Sequence, residues 1–253
     1  MNPKRTAQRW AQLGLVVLEF PTNYANSADD YIEKGLNHRD EWRGQNLLST
    51  SFAPHAPYTV ADATFEKIVT YAEQLGLGIH THLHETQGEI EQSLKQYGVA
   101  PIERLSRLGV LGPNLTAAHG VHMKREEIDQ LKSHGCSVAH SVSSNLKLAS
   151  GMAPIQAMLN AGVNVGLGTD GAASNNRQDM FAEIRTAALV AKGLNNDVSS
   201  IPAWQALEMA TINGAKALGL ENQIGSIEVG KLADLTAVKL SDIEALPCFD
   251  PLS

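Results

Sequence analysis

The chain has 253 residues, enough for one large α/β domain or two small ones with a substantial buried core. Hydrophobic residues make up 43%, charged residues 19% and aromatics 5%, a globular composition that excludes a disordered or fibrous chain. The net charge of −7 leaves no basic footprint for nucleic acid or an anionic membrane surface.

At the N-terminus Lys4, Arg5 and Arg9 precede the apolar run LGLVVLEF (13–20) and so imitate the opening of a signal peptide. The run is short and contains Glu19, and no stretch approaches the roughly 18 to 20 apolar residues that span a bilayer. It reads as a buried strand of a soluble chain. From there, short β-rich runs alternate with amphipathic segments about every 30 residues, the length of a βα unit. The predicted strands are 14–20, 47–55, 77–85, 115–121, 136–142 and 163–171. Between the second and third, TVADATFEKIVTYAEQL (59–75) sets Phe65, Ile68, Val69 and Ala72 at helical spacing, with Thr59 placed to cap its start and Asp62 three residues on. KREEIDQLKSHG (124–135) and APIQAMLNAG (153–162) carry similar stripes and end in Gly. Cys136 and Cys248 are far apart and form no CxxC pair, which argues against a disulfide framework or cysteine metal cluster and points to a reducing cytoplasm.

Strand, helix, strand, helix implies a parallel sheet with helices outside, either an open doubly wound sheet or a (β/α)8 barrel. The nucleotide-binding form of the first carries GxGxxG where its first strand turns into a helix, and no such run follows the first strand here. Polar residues sit instead at successive strand tips: His55, His82 with Glu85, His119, His140 and Asp170. In a barrel those tips converge on one mouth, and a ring of His and Asp suits zinc and similar ions. Any one of these histidines alone reads more often as a hydrogen-bonded core residue, and the Asp170-Gly171 pair also reads as a turn. Asn145 and Lys147 fall where a loop overhangs the mouth, or in a solvated structural loop.

The runs FAPHAPYT, HTHLHET, AAHGVH, SNLKLASGMAP and LGTDGAASNN, in this order, resemble the amidohydrolase superfamily. More closely, they are similar to its branch of 5-methylthioadenosine/S-adenosylhomocysteine deaminases and triazine-hydrolase-like proteins. The resemblance runs from about residue 13 to the end, and IGSIEVGKLADLTAV (224–238) resembles the passage from the barrel to a small β-sandwich. That implies an incomplete (β/α)8 TIM-type barrel, strands three to eight, over residues 1–220, and the returning strands of an incomplete sandwich over 221–253. His80-Thr-His82 imitates the HxH pair that the family places on its first strand. Only three predicted strands follow it, however, so it fits strand five and Asp170 falls on strand eight. Strands one and two, with HxH and the first sandwich strands, would then be about 130 residues of upstream sequence, and the end at PLS looks premature.

The resemblance implies His82 and Asp170 as metal ligands and His80 as a barrel-interior neighbour. Strand parity puts His80, His82 and His84 on one face, so Glu85 must lie past the last regular residue to turn back, as the family's HxxE does, leaving His84 as a wall of the pocket. The implied chemistry uses one divalent ion per subunit, Zn²⁺ or another, to supply hydroxide at neutral pH. Asp170 accepts the water's proton, His119 holds the hydroxide, and Glu85 protonates the ring nitrogen. His55 contacts the nucleoside, and Ser174 either contacts substrate or caps a helix. The expected activity is deamination of adenosine thioethers in the cytoplasm by the full-length enzyme, a homo-oligomer with no nucleic-acid or membrane partner. Two alternatives stand: hydrolysis of another amino- or chloro-substituted heteroaromatic ring, and an inactive fragment lacking HxH.

Overall fold

All six predicted strands pair in the computed structural model, which describes residues 10–240 and 250. In chain order the elements are β1 (Ala11–Val17), α1 (Ala28–Glu41), β2 (Leu48–Pro54), α2 (Asp62–Leu75), β3 (Gly78–Leu83), α3 (Gln87–Tyr97), α4 (Pro101–Arg107) and β4 (Leu115–His119). Then follow α5 (Arg125–Ser133), β5 (Ser137–His140), α6 (Val142–Lys147), α7 (Ile155–Ala161), β6 (Asn164–Leu167), α8 (Ala172–Asn175), α9 (Met180–Asn195), α10 (Ala203–Ala210) and α11 (Ile212–Ala217). The sheet order is β1-β2-β3-β4-β5-β6, every neighbouring pair parallel, which needs a crossover after each strand and so explains the alternation.

Alternate strand residues make the core. Leu15, Val17, Phe52, Ile79, Leu83, Leu115, Ala117, Val138 and Val165 are buried together with helix residues such as Tyr31, Phe65, Ile68, Leu105, Ile128, Leu131 and Met158. The opposite face carries small or polar side chains, among them Gly14, Ala53, His80, His82, Thr116, Ala118 and Gly166, and β3 alternates accordingly from Ile79 to Leu83. Close packing explains the small residues: a Cβ on Gly14 would stand 2.9 Å from the Ala53 Cβ. At the N-terminal end of that face Thr116 Oγ1 donates to Ala217 O (2.9 Å), which brings the end of α11 against the sheet.

β5 and β6 stop at His140 and Leu167, short of the predicted 142 and 171, and two further boundaries differ from expectation near the site. β1 lies three residues earlier than the apolar run suggests and stops before Glu19, whose Oε1 instead accepts the Ala61 N–H (2.9 Å) at the N-terminus of α2. Thr59 therefore does not cap α2. The cap position is Ala61, and Thr59 Oγ1 bonds within its own turn and to His55.

Within the expected sandwich segment, residues 221–240 form no strand, and Ile227, Val229, Leu232, Leu235 and Val238 are exposed. A strand needs a partner for its backbone groups, and the segment pairs with no strand among the described residues. Residues 241–249 and 251–253 of that segment, Cys248, and Lys4, Arg5 and Arg9 lie outside the described residues. Among those described, no helix is long and apolar enough to cross a membrane.

Candidate active site

The strand tips are laced together by main-chain bonds beyond the regular ladder. His55 N donates to Val17 O (3.1 Å), His82 N to His55 O (3.1 Å), Gly120 N to Leu83 O (3.0 Å) and Gly168 N to His140 O (3.0 Å). The polar side chains thus start from backbone that is held on both sides.

Strand parity does not by itself bring them to one face. Leu115 and Ala117 point into the helix-covered core, and a regular β4 would send His119 the same way. His119 has φ +75°, a left-handed conformation that turns its ring across to His82, with centroids 5.2 Å apart and stacked. His84 (φ +53°) and Asp170 (φ +59°) sit in the same region at the ends of β3 and β6. His140 has no such turn. It stays on the side of Val138, fully buried near Ala153 and Ile155, with no hydrogen-bond partner for Nδ1, and burial pushes its imidazole down to about 4. The expected ring of tips therefore excludes His140. His84 also departs from parity: it is not a pocket wall but wholly buried, with Nδ1 donating to His122 O (3.2 Å) and Nε2 accepting from Ile102 N (3.3 Å).

His55, His82, Glu85, His119 and Asp170 do come together. His55 and His82 rings meet edge-on at 4.8 Å. His82 Nδ1 donates to the His55 carbonyl (2.6 Å), which leaves Nε2 with its lone pair. His55 Nδ1 is held by Thr59 Oγ1 (2.9 Å). Thr59→Val should therefore lower stability by about 1–2 kcal/mol and free the His55 ring, read by urea unfolding and by broadening of the His55 ring resonances.

One short segment that the sequence left ambiguous reaches three of these groups. Ser144 Oγ donates to Asp170 Oδ2 (2.6 Å), Asn145 Oδ1 accepts from His119 Nδ1 (2.8 Å), and Ser150 Oγ donates to Glu85 Oε1 (3.3 Å). With Nδ1 donating, His119 presents a bare Nε2 at 3.8 Å from Glu85 Oε2. Ser144, Asn145 and Ser150 are all buried, and nothing in their spacing betrays these partners. Lys147 is exposed and ties the next loop by donating to Ala173 O (2.7 Å) and to Asn176 Oδ1. Ser174 lies within α8, whose cap position is Gly171, and its N–H bonds Gly171 O (3.0 Å). His80 shares the face of His82 and is exposed.

GLGTDG (166–171) spells the glycine pattern of a dinucleotide loop, but its Asp170 Oδ1 accepts the Gly171 N–H (2.6 Å) and the helix that follows has four residues. A carboxylate occupies the place a phosphate would need.

Burial acts to raise the Asp170 carboxyl, but the Ser144 and Gly171 hydrogen bonds and the nearby His119 and His82 rings outweigh it and hold the group below its usual value. Burial and the neighbouring His82 lower His55. Glu89, on the first turn of α3, is pushed up to about 7 by burial, against the pull of the His84 and Glu85 amides. A carboxyl raised in the folded state takes up its proton first, so its contribution is fully present below the unfolded value and is lost as pH rises. Stability should fall between about pH 4.5 and 7, by at most about 3 kcal/mol, and Glu89→Gln should remove that slope from thermal melts taken across the range.

Among the described residues, no group of three or more His, Cys, Asp or Glu side chains is gathered to hold a metal ion. The Amidohydrolase family model matches residues 5–251. A 5-methylthioadenosine/S-adenosylhomocysteine deaminase of Teredinibacter turnerae is 49% identical over 243 residues, 96% of this chain and 55% of its own length. The protein of that name in Moorella thermoacetica is 47% identical, over 88% of this chain and 52% of its own. Among solved structures, a zinc-bound adenosine deaminase from Xanthomonas campestris superposes with TM-score 0.93 at 48% identity, covering 96% of this chain and 55% of that one. A zinc complex of atrazine chlorohydrolase from Arthrobacter aurescens gives 0.86 at 26%, covering 94% and 55%. The chain spans about half the length of the curated relatives it matches.

Proposed function

The chain belongs to the amidohydrolase family, and on that premise we propose that it is the larger part of the barrel of a metal-dependent deaminase of adenosine thioethers. In this reading β1 to β6 are strands three to eight of a (β/α)8 barrel within residues 1–220, and residues 221–253 begin a small sandwich. A cytoplasmic homo-oligomer acting on a nucleoside, 5'-methylthioadenosine or S-adenosylhomocysteine, belongs to the same proposal. The observation that carries it is the convergence of Glu85, His119 and Asp170, from three different strand ends, on the single segment 144–150. The names of the relatives at 49% and 47% identity support the substrate class.

The donor set fits a divalent ion in part. His82 has its Nδ1 engaged by a carbonyl and its Nε2 free, the usual condition of an imidazole ligand, and Asp170 favours its charged form. Catalytic zinc takes three or more protein ligands, so these two residues would supply only a share of its shell. Such an ion would supply an acidified water near neutral pH.

The chain's own residues then move the protons. Asp170 takes one from the attacking water as oxygen bonds the carbon bearing the amino group, while Glu85 gives one to the adjacent ring nitrogen. Glu85 next removes the proton of the new hydroxyl, the carbon–nitrogen bond breaks, and the amine leaves as ammonia with the proton Asp170 had taken. Both carboxyls return to their starting states. His119 Nε2, bare because Nδ1 donates to Asn145, accepts a hydrogen bond from the water and holds it in line.

Ammonia release by the zinc-supplied protein tests the reading, with 5'-methylthioadenosine and S-adenosylhomocysteine on one side and an amino- or chlorotriazine on the other. Turnover of the nucleosides alone supports it. Turnover of triazines alone moves the assignment to the heteroaromatic alternative, and no turnover with no bound zinc favours the inactive fragment.

A further inference from the structure

Glu89 is a buried carboxyl, 4% exposed, that the reaction above does not use. Its two oxygens accept from consecutive backbone amides: Oε1 from His84 N (3.0 Å) and Oε2 from Glu85 N (2.9 Å). The residue between those amides, His84, has φ +53°. Successive N–H groups flanking a left-handed residue form a concavity that binds an anion, and here the anion is a side chain of the helix that follows. Helix α3 holds it in place, since Thr86 caps that helix by accepting the Glu89 N–H (3.2 Å).

The side-chain contacts of Glu85 are too long to place it by themselves. One oxygen is 3.3 Å from Ser150 Oγ and the other 3.8 Å from His119 Nε2. What aims the carboxyl is the direction of its Cα–Cβ bond, which the left-handed step at His84 sets. That step carries backbone strain in a non-glycine residue, and both amides it frees from the strand would be unpaired without an acceptor.

We propose that Glu89 is the positioning residue for Glu85: its carboxylate binds the His84 and Glu85 amides, fixes the turn at the end of β3, and so points Glu85 at the reacting ring. The role in turnover rests on the deaminase reading, and the turn itself does not. The test compares Glu89→Gln and Glu89→Asp with the wild-type 253-residue chain at pH 8, by amide hydrogen exchange and by ammonia release. The Gln side chain offers one acceptor where two are needed, so exchange at His84 or Glu85 should quicken about tenfold or more, with core amides such as Ala117 unchanged. Where turnover is measurable, kcat should fall about tenfold or more with KM nearly constant, and Glu89→Asp should recover part of both. Unchanged protection at both amides, or an equal loss at Ala117, overturns the proposal. If Glu89→Gln does not fold, Glu89→Asp decides: one amide losing protection supports it and two fully protected amides overturn it. A wild-type chain that releases no ammonia counts against the deaminase reading alone, and the amide comparison still decides the role of Glu89.

Discussion

In the proposed deaminase, Glu85→Gln is expected to lower kcat by about 10²–10⁴ while KM for the nucleoside changes little. Glutamine keeps the length of the side chain and an oxygen for Ser150 but holds no transferable proton, so the carbon bearing the amino group must be attacked while the adjacent ring nitrogen is unprotonated. Asp170→Asn should cost at least as much, because the amide removes both the proton acceptor and the negative charge that the Ser144 hydroxyl and the Gly171 amide support. Asparagine in addition sets an NH₂ group against one of those two donors. Steady-state kinetics on each variant, with thermal melts to establish folding, give the comparison. Turnover within about threefold of wild type for either variant would sink the assignment of proton carriers.

Arg104→Ala should lower stability by about 3–5 kcal/mol. Arg104 is 4% exposed, so its charge must be matched where it lies. Its guanidinium donates to Asp62 Oδ1 (2.6 Å), to Val60 O (2.9 Å) and to Pro57 O, and it stacks 3.9 Å from the centroid of Tyr97. Truncation leaves two inward-facing carbonyls without donors and a hole beside the ring. The turn 57–60 that these bonds fix carries Tyr58 and Thr59, and Thr59 holds His55. The loss should appear as a lower urea midpoint at unchanged slope. Arg104→Lys should recover only part, because an ammonium cannot reproduce the fork that reaches three acceptors at once.

The six strands were legible because each is a short apolar run at a spacing that only a crossover fold explains, and all six form. Strand five of the proposed barrel was also the most informative stretch chemically, since Ile79, Thr81 and Leu83 alternate with His80 and His82 as written. What could not be read was which way the chain turns after a strand ends. Period-two alternation assigns His84 and His119 to the wrong sides, because both leave the extended region. It assigns His140 correctly to the core, where counting tips had placed it at the mouth. Ser144, Asn145 and Ser150 were hidden for another reason: their partners lie 26 to 65 residues away along the chain, and serine and asparagine are also ordinary loop residues. Glu89 is by position one more acid on the first turn of α3, and only its depth distinguishes it. Thr59 was recognised as a capping type but its hydroxyl was already committed to His55, and Glu19 from β1's far end took the helix instead.

The left-handed residues at three strand ends set a conflict between durability and chemistry. His84, His119 and Asp170 each hold a conformation that glycine adopts freely and that costs other residues about 1–2 kcal/mol. At His84 and His119 burial and hydrogen bonds outweigh that strain, so directed evolution for heat tolerance alone would be drawn to glycine first at the half-buried position 170, where the replacement erases a proposed reacting group. Selection for ammonia release would keep the aspartate. A library screened in parallel under the two regimes should diverge at that position first, turning the backbone's discomfort into a marker of where activity is being protected.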